Sequence, residues 1–382
     1  MPLIHLLGAA ALVLGFAGSL YAVVAGVFAG RLSRLPPPAS LPPQDVPALT
    51  LLKPLHRDEG ALLANLESFV RQDYPGPVQL VFGVQDPADP GLQAVEALRR
   101  AHPRADIAVV VDPRTYGANR KVSNLINMLA QARHPLLVLS DADIAVPPGY
   151  LSRVAAALAE PGVGAVTCYY RGDARAGTVS RIAAMGVSYG FLPNVILGVA
   201  LGLARPCMGS TIALRREVLA SIGGFEALND VLMDDYDIGQ AVRALGKRVV
   251  LPPFLVDHGC SETSLREVIA HEMRWAVTVR MIDSLGHLGS GVTHALAWAL
   301  IGAALLGGTR AGWAAIVLAL VSRLWLKLRI DRAAGASSGP ALVLPLRDIM
   351  SFAIFFGSLF ARAVYWRGER FRVSSGRTIS PA

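Results

Sequence analysis

Five acidic residues fall in three short motifs, and an arginine–tryptophan pair follows them. Asp86 ends GVQD, Asp141 and Asp143 lie in LSDADI, Asp234 and Asp235 lie in MDDYD, and Arg274–Trp275 close HEMRW. Each acidic motif stands where an apolar run gives way to a loop, the edge at which an α/β sheet collects ligands. Carboxylates at i and i+2 of an extended tip point the same way, so Asp141 and Asp143 could share a divalent cation with a diphosphate. Mg2+ or Mn2+ there would neutralise charge on a phosphate leaving group. The competing reading is a solvated Asp-rich turn ahead of Pro147–Pro148. Asp86 could accept hydrogen bonds from a nucleobase or ribose, or simply form the turn in DPADP.

Lys121, in an Asn-Arg-Lys run that opens a helix, could reach a diphosphate at that helix N-terminus, or be an ordinary surface lysine. Asp234, Asp235 and Asp237 crowd three carboxylates into four residues. Mutual repulsion raises the proton affinity of one of them, which suits a general base; a charged helix start explains the same run. His271, Arg274 and Trp275, spaced i, i+3, i+4, share a helical face. Ser264 and Glu267 form the capping box that starts that helix. Arg beside Trp offers a fixed charge for phosphate and a flat surface for sugar or lipid, or else a membrane-interface anchor.

The elements needed to position these groups are legible as alternation. ALTLLKPL, VQLVFGV, DIAVVVD, PLLVLSD and VGAVTCYY read as strands. Helices are expected across Glu59–Gln72, Leu92–Ala101, Lys121–Ala132 and Tyr150–Ala159. Strands alternating with helices predict right-handed βαβ units, a mainly parallel sheet and a nucleotide-binding α/β domain.

The chain of 382 residues is 53% hydrophobic and only 17% charged, a deficit that points to membrane segments. Its +8 charge is scattered beside apolar runs rather than gathered into a nucleic-acid patch, so no nucleic-acid partner is expected. Cys168, Cys207 and Cys260 make no C-x-x-C pair, which fits free thiols in a reducing compartment. Residues 1–30 form an anchor long enough to cross a bilayer, and lack the basic n-region of a cleaved signal. Arg31 and Arg34 after it place the following domain in the cytoplasm. Residues 31–47, with six prolines, read as a stiff spacer, and 48–290 as the catalytic domain.

Within that domain, the uncharged stretch 182–204 is long enough to span, but a crossing there would separate Asp141 from Asp235. It must then be buried, re-entrant or lying in the interface, and the last is expected. Residues 291–366 hold three apolar runs, 292–308, 311–326 and 349–366, the first two a hairpin joined by Thr309–Arg310. The basic tail 367–382 (Arg367, Arg370, Arg372, Arg377) favours a cytoplasmic end, which needs an even number of crossings where three candidates stand.

Together VRQDYP, GVQD, NRKVSNL, LSDADI, GSTIALRREVL, GGFE, MDDYD and HEMRW resemble the inverting family-2 glycosyltransferases with a GT-A fold. The likeness runs from about Ala48 to Trp275. It is greatest to the branch that holds ceramide glucosyltransferases and the bacterial hopanoid biosynthesis-associated glycosyltransferases. The resemblance implies a UDP-sugar donor, a membrane lipid acceptor (a hopanoid or sphingolipid), and a multi-pass protein of the bacterial inner membrane. It implies that Asp86 contacts the uridine and Lys121 holds the nucleotide. Asp141 and Asp143 would serve the metal–diphosphate site, Asp235 would be the catalytic base, and Arg274 with Trp275 would close on donor and acceptor. His271 stands where that family's last motif begins with Gln or Arg and takes no assigned role. Asp143 occupies a position that ceramide glucosyltransferases often leave non-acidic, so the full D-x-D leans toward the hopanoid side. A processive polysaccharide synthase would share the site but need more spanning helices. A non-catalytic scaffold would need a degenerate site.

Overall fold

The computed structural model describes residues 2–57 and 61–361 and the short strands 363–366, 369–373 and 379–381. A 31-residue helix, α1 (Pro2–Leu32), comes first. An α/β alternation follows: β1 (Leu49–Pro54), α2 (Leu62–Val70), β2 (Val78–Val84), α3 (Gly91–Ala101), β3 (Asp106–Val111), α4 (Arg120–Leu129), β4 (Leu136–Leu139), β5 (Ile144–Ala145) and α5 (Tyr150–Ala159). Next come β6 (Val163–Val166), β7 (Tyr169–Ala174), α6 (Thr178–Gly186), α7 (Leu192–Ala200), β8 (Ile212–Arg215), α8 (Arg216–Ser221), α9 (Asp234–Ala244), β9 (Arg248–Val250) and β10 (Leu255–Cys260). The remainder is helical up to Phe360: α10 (Leu265–Ile282), α11 (Ser284–Ser290), α12 (Ala295–Leu305), α13 (Arg310–Ala334) and α14 (Leu344–Phe360). The first half of the expected Glu59–Gln72 helix falls partly outside the described residues, as do Arg367 and Arg377 of the tail.

Seven strands form one sheet in the order β3-β2-β1-β4-β8-β6-β9. The β1–β2, β2–β3 and β1–β4 pairs are parallel, as the βαβ alternation predicts, and β8 runs antiparallel between β4 and β6. Strand β1, between β2 and β4, is buried along its whole length, as a strand covered on both faces is. The single strand expected at VGAVTCYY is two. β6 stays in the main sheet, whereas β7 leaves it to pair with β10, which also pairs β5, in a second three-stranded sheet. Thr167 and Cys168 at the break are fully buried, so the apolar run continues while the backbone changes sheets.

Residues 178–200 form one helical rod interrupted by a π-turn at Val187–Phe191. The rod is long and apolar enough to cross a membrane, yet 61% of its most apolar 18-residue stretch is buried within the protein. The Pro-rich segment lies against the α/β sheet domain: Leu41 packs on the core and Tyr74 Oη donates to the Pro47 carbonyl. Three further helices among the described residues meet the length and composition of a span, namely Leu3–Leu32, Arg310–Ala334 and Ala341–Phe360. The expected 292–308 helix is shorter, 295–305, and is bent by 66° from residues 284–293.

Glycines set the packing of these helices. Gly8, Gly15 and Gly18 of α1 face Leu306, Ala299 and Ala295 so closely that added Cβ atoms would crowd them; α12 therefore runs antiparallel to α1. Gly26 and Gly30 face Trp325 and Arg329, so α13 runs parallel to it. Small residues that let backbones approach are how apolar helices associate without a hydrophobic driving force between them.

Candidate active site

The carboxyl edges of β1, β2 and β4 point the same way, and the loop after β4 delivers Asp141 and Asp143. Asn119 brings the next parts together. Its side chain caps α4 by accepting from Val122 N, while its Nδ2 donates to Val231 O at 2.8 Å. The start of α4 is thus tied to the loop that leads into α9, and Lys121 meets Asp234. Lys121 Nζ lies 2.7 Å from Asp141 Oδ1 and 3.2 Å from Asp234 Oδ2. Gly209 closes the floor: its carbonyl accepts from Asp141 N at 3.2 Å, and its own N–H donates to Asp235 Oδ2 at 2.9 Å. A Cβ at Gly209 would overlap Asp141 Oδ2, so only glycine allows this approach.

The four carboxylates differ in their surroundings. Asp234 is buried against Lys121 and only 6% exposed. Asp235 is half-buried at the first turn of α9, its Oδ1 accepting from Tyr236 N. Burial and the neighbouring Asp234 charge push Asp235 up to about 6, even against Lys121. Burial raises Asp141 as well, opposed by Lys121. Burial disfavours the charged form of Lys121, but Asp141, Asp234 and Asp235 outweigh it and keep the ammonium protonated. Asp143 goes the other way. Burial works against its charge, but His258 outweighs that and brings it to about 2. His258 Nε2 stands 3.2 Å from Asp143 Oδ2. Burial disfavours the His258 cation in turn, yet Asp143 raises it well above the ordinary histidine range.

Asp143 Oδ1 is buried and has no hydrogen-bond partner among the described residues, an atom that calls for a ligand. Hard oxygen donors at Asp141 and Asp143 suit Mg2+ or Mn2+. Among the described residues no group of three or more His, Cys, Asp or Glu side chains forms a closed cage. One or two carboxylates completed by substrate phosphates are the usual holding for such ions. The donor set therefore fits the expected cation.

Trp275 and Arg274 sit on α10, whose start is capped by Ser264 as expected. Glu267 reaches back to Thr263 N, completing the box one residue early. His271 Nδ1 is held by Glu262 Oε1 at 2.7 Å and its ring meets Trp275 edge-on at 4.6 Å. Behind them, Phe191, Tyr170 and His258 stack in series, with ring centroids 5.0 and 5.5 Å apart. Trp275 lies against all three rings. The π-turn of the apolar rod is thereby linked, through Phe191 and Tyr170, to the His258 ring beside Asp143.

The structure thus gathers Lys121, Asp141, Asp234 and Asp235 in one cluster. His258 joins Asp143 to the ring stack that includes Trp275. Asp86 is exposed at the end of β2, its Oδ1 accepting from Ala88 N as in the turn reading. Sequence reasoning missed His258, Glu262, Tyr170 and Gly209. His258 reaches Asp143 because β10 pairs with β5, His258 opposite Ile144, a register that no local pattern in LVDHGC announces.

A mannosyltransferase from Pyrobaculum calidifontis, solved in complex with GDP-mannose and Mn2+, shares the fold with a TM-score of 0.55 at 22% identity, over 94% of this chain and 99% of that one. Ceramide glucosyltransferase 1 of Caenorhabditis elegans is 24% identical over 88% of this chain and 74% of its own length. A ceramide glucosyltransferase of Komagataella phaffii is 31% identical over 31% of this chain and 24% of its own length. The family model for glycosyl transferase family 21 matches residues 11–379. With a GT-A-like sheet, its acids gathered at the carboxyl edge and a family match along nearly the whole chain, the protein is a glycosyltransferase and belongs to glycosyl transferase family 21.

Proposed function

We propose that the protein is a membrane-bound inverting enzyme that moves a sugar from a UDP-sugar to a hydroxyl of a lipid. The observation that carries this reading is Asp235, a half-buried carboxylate raised to about 6 and oriented by Gly209 N–H beside Lys121 and Asp141. A general base works best when its proton affinity lies near the operating pH. Asp235 takes the proton of the acceptor hydroxyl as that oxygen bonds to the anomeric carbon, and the bond from that carbon to the UDP oxygen breaks on the opposite face. The stereochemistry inverts without a covalent intermediate. Lys121 lies where it can hold the departing diphosphate, and Arg274 and Trp275 close over donor and acceptor. Asp86, at the open end of β2, faces the uridine. Asp141 and Asp143 would hold Mg2+ or Mn2+, which offsets phosphate charge when bound.

The lipid side is supported by the helices. α1, α13 and the bent pair α11–α12, taken as one span, form a three-helix anchor with the N-terminus outside and the catalytic domain in the cytoplasm. Two crossings after the catalytic domain return the basic tail to its side. α14 is then the interfacial one of the three C-terminal candidates. Its first turns are tied to the other helices by two ion pairs, Arg347 to Glu272 of α10 and Asp348 to Arg323 of α13. The 178–200 rod lies beside α1, where Tyr21 Oη donates to Asn194. It brings Phe191 to the site and offers a path for an apolar acceptor.

The acceptor proposed is a hopanoid polyol, bacteriohopanetetrol, with UDP-N-acetylglucosamine as donor, in a bacterial inner membrane. The complete D-x-D supports it. The ceramide reading, with UDP-glucose or UDP-galactose, is favoured by the names of the relatives. Mass spectrometry of lipid extracts from cells with and without the gene decides. Loss of a hexosaminyl-hopanoid on deletion upholds the first reading and loss of a hexosyl-ceramide the second. An unchanged glycolipid profile sinks both.

A further inference from the structure

Beneath the loop that carries Asp141 and Asp143 lies a lysine that the chemistry has not used. Lys53, near the end of β1, is 0% exposed. A buried ammonium persists only when its hydrogen bonds are answered. Lys53 Nζ donates to the Asp141 carbonyl and, at 3.4 Å each, to the Ile144 carbonyl and Ser140 Oγ. It also rests 4.1 Å from the centroid of the Phe69 ring. Asn65 of α2, 1% exposed, donates its Nδ2 to the Ala142 carbonyl at 3.2 Å. Gly259 N donates to the Asp143 carbonyl at 2.7 Å. Every carbonyl from 141 to 144 thus has a donor, and two side chains supply three of the four. A buried backbone carbonyl left without a donor is costly, so these contacts fix where the loop can sit.

The arrangement also separates two tasks. Lys53 meets the loop from its backbone side, bonding carbonyls and Ser140 Oγ rather than the Asp141 and Asp143 carboxylates. Its positive charge offsets Asp143 from beneath without occupying the oxygen that has no partner. Ser68, one turn along α2 from Asn65, holds the next residues by accepting from Val146 N at 3.1 Å. The strand and helix that flank the loop are therefore built to present it.

We propose that Lys53 and Asn65 form a cradle that sets the positions of Asp141 and Asp143 for the donor-associated cation; both are positioning residues. The proposal rests on Asp141 and Asp143 being the cation ligands. The test uses the full-length protein in detergent, with Mn2+ titrated in the presence of UDP and free Mn2+ followed by electron paramagnetic resonance. Melting temperature and the acceptor KM are measured on the same samples. Lys53→Met should weaken Mn2+ binding by roughly 10–100-fold, the cost typical of removing a group that orients a metal ligand. Asn65→Ala should weaken it by a smaller factor. Acceptor KM should stay unchanged in both. A purely structural lysine would lower the melting temperature and leave the Mn2+ affinity of the folded protein unchanged, which overturns the cradle. If Lys53→Met does not fold, Asn65→Ala decides: weakened Mn2+ binding upholds the proposal and unchanged binding overturns it. If the unaltered protein binds no Mn2+ with UDP, the cation reading falls and the cradle with it.

Discussion

Two regions of this molecule bury charge, and they balance it differently. Where α10, α13 and α14 meet, three cations face three anions. Arg323 grips Asp348 through two bonds of 2.8 and 2.6 Å and donates to the Tyr189 carbonyl at 2.9 Å. Arg347 pairs with Glu272 at 2.5 Å, and Lys327 pairs with Asp331, which also accepts from Tyr189 Oη. At the sheet edge, by contrast, Asp141, Asp143, Asp234 and Asp235 face Lys121, His258 and, from beneath, Lys53. In the first region each of these carboxylates has its own cation. The second carries a surplus of negative charge and a carboxylate oxygen with no partner. Balanced buried charge fixes how elements meet, while surplus buried charge is held by the fold for something that arrives from outside.

The widest separation between the two regions should come from removing one carboxylate in each. Asp235→Asn should cut turnover by roughly 10²–10⁴-fold, the range of general-base catalysis, while UDP and Mn2+ binding and the melting temperature hold. Retained turnover would remove Asp235 from the base role. Asp348→Asn leaves Arg323 buried without its partner and should cost about 3–5 kcal/mol of stability. Its surviving folded fraction should keep kcat. If Asp348→Asn instead lost kcat at full stability, the closed network would be part of the chemistry and the comparison would fail.

A smaller effect should sharpen the boundary of the site. Gly209→Ala puts a methyl where Asp141 Oδ2 sits. Lys121 and Asp141 must then part, and donor KM should rise while acceptor KM changes little. Gly186 gives the matched control in the closed region, since its Cβ would overlap the Arg347–Glu272 pair. Gly186→Ala should therefore lower the melting temperature and leave donor KM alone. Kinetics with each substrate varied, alongside thermal melts, separates the two outcomes.

The same contrast explains what could be seen in the sequence. Parallel strands covered on both faces are continuous apolar runs, so β1 to β4 and the helices between them were legible. The acids at their ends were legible too, because a short polar motif after an apolar strand stands out. The rest depends on contacts between distant segments. Lys53 lies inside an apolar strand, where one lysine looks like an edge residue until Asp141 and Ile144 close over it. β7 continues β6 in composition, and only pairing with β10 shows the change of sheet. Arg347 and Asp348 marked the expected start of an apolar run, 349–366. They lie inside a helix that begins at Leu344, because Glu272 and Arg323 answer their charges.

The gentlest test of the comparison is pH, and its sign follows from Asp235. The base proposed at Asp235 works only when ionised, and burial with the Asp234 charge raises this carboxyl to about 6. Turnover should be flat above that pH and fall about tenfold per unit below it, since one proton blocks one base. Stability should move the other way. Between the ordinary aspartate range and about 6 the folded chain holds a proton that the unfolded chain has already released. The contribution of this group therefore falls as pH rises through that window. The protonated form is the more stable, and the ionised form is the one the proposed base role needs. Lys121→Met removes the cation that opposes the rise, so the acid limb should shift to higher pH. An unshifted limb in that variant would assign the titration to a group outside the cluster.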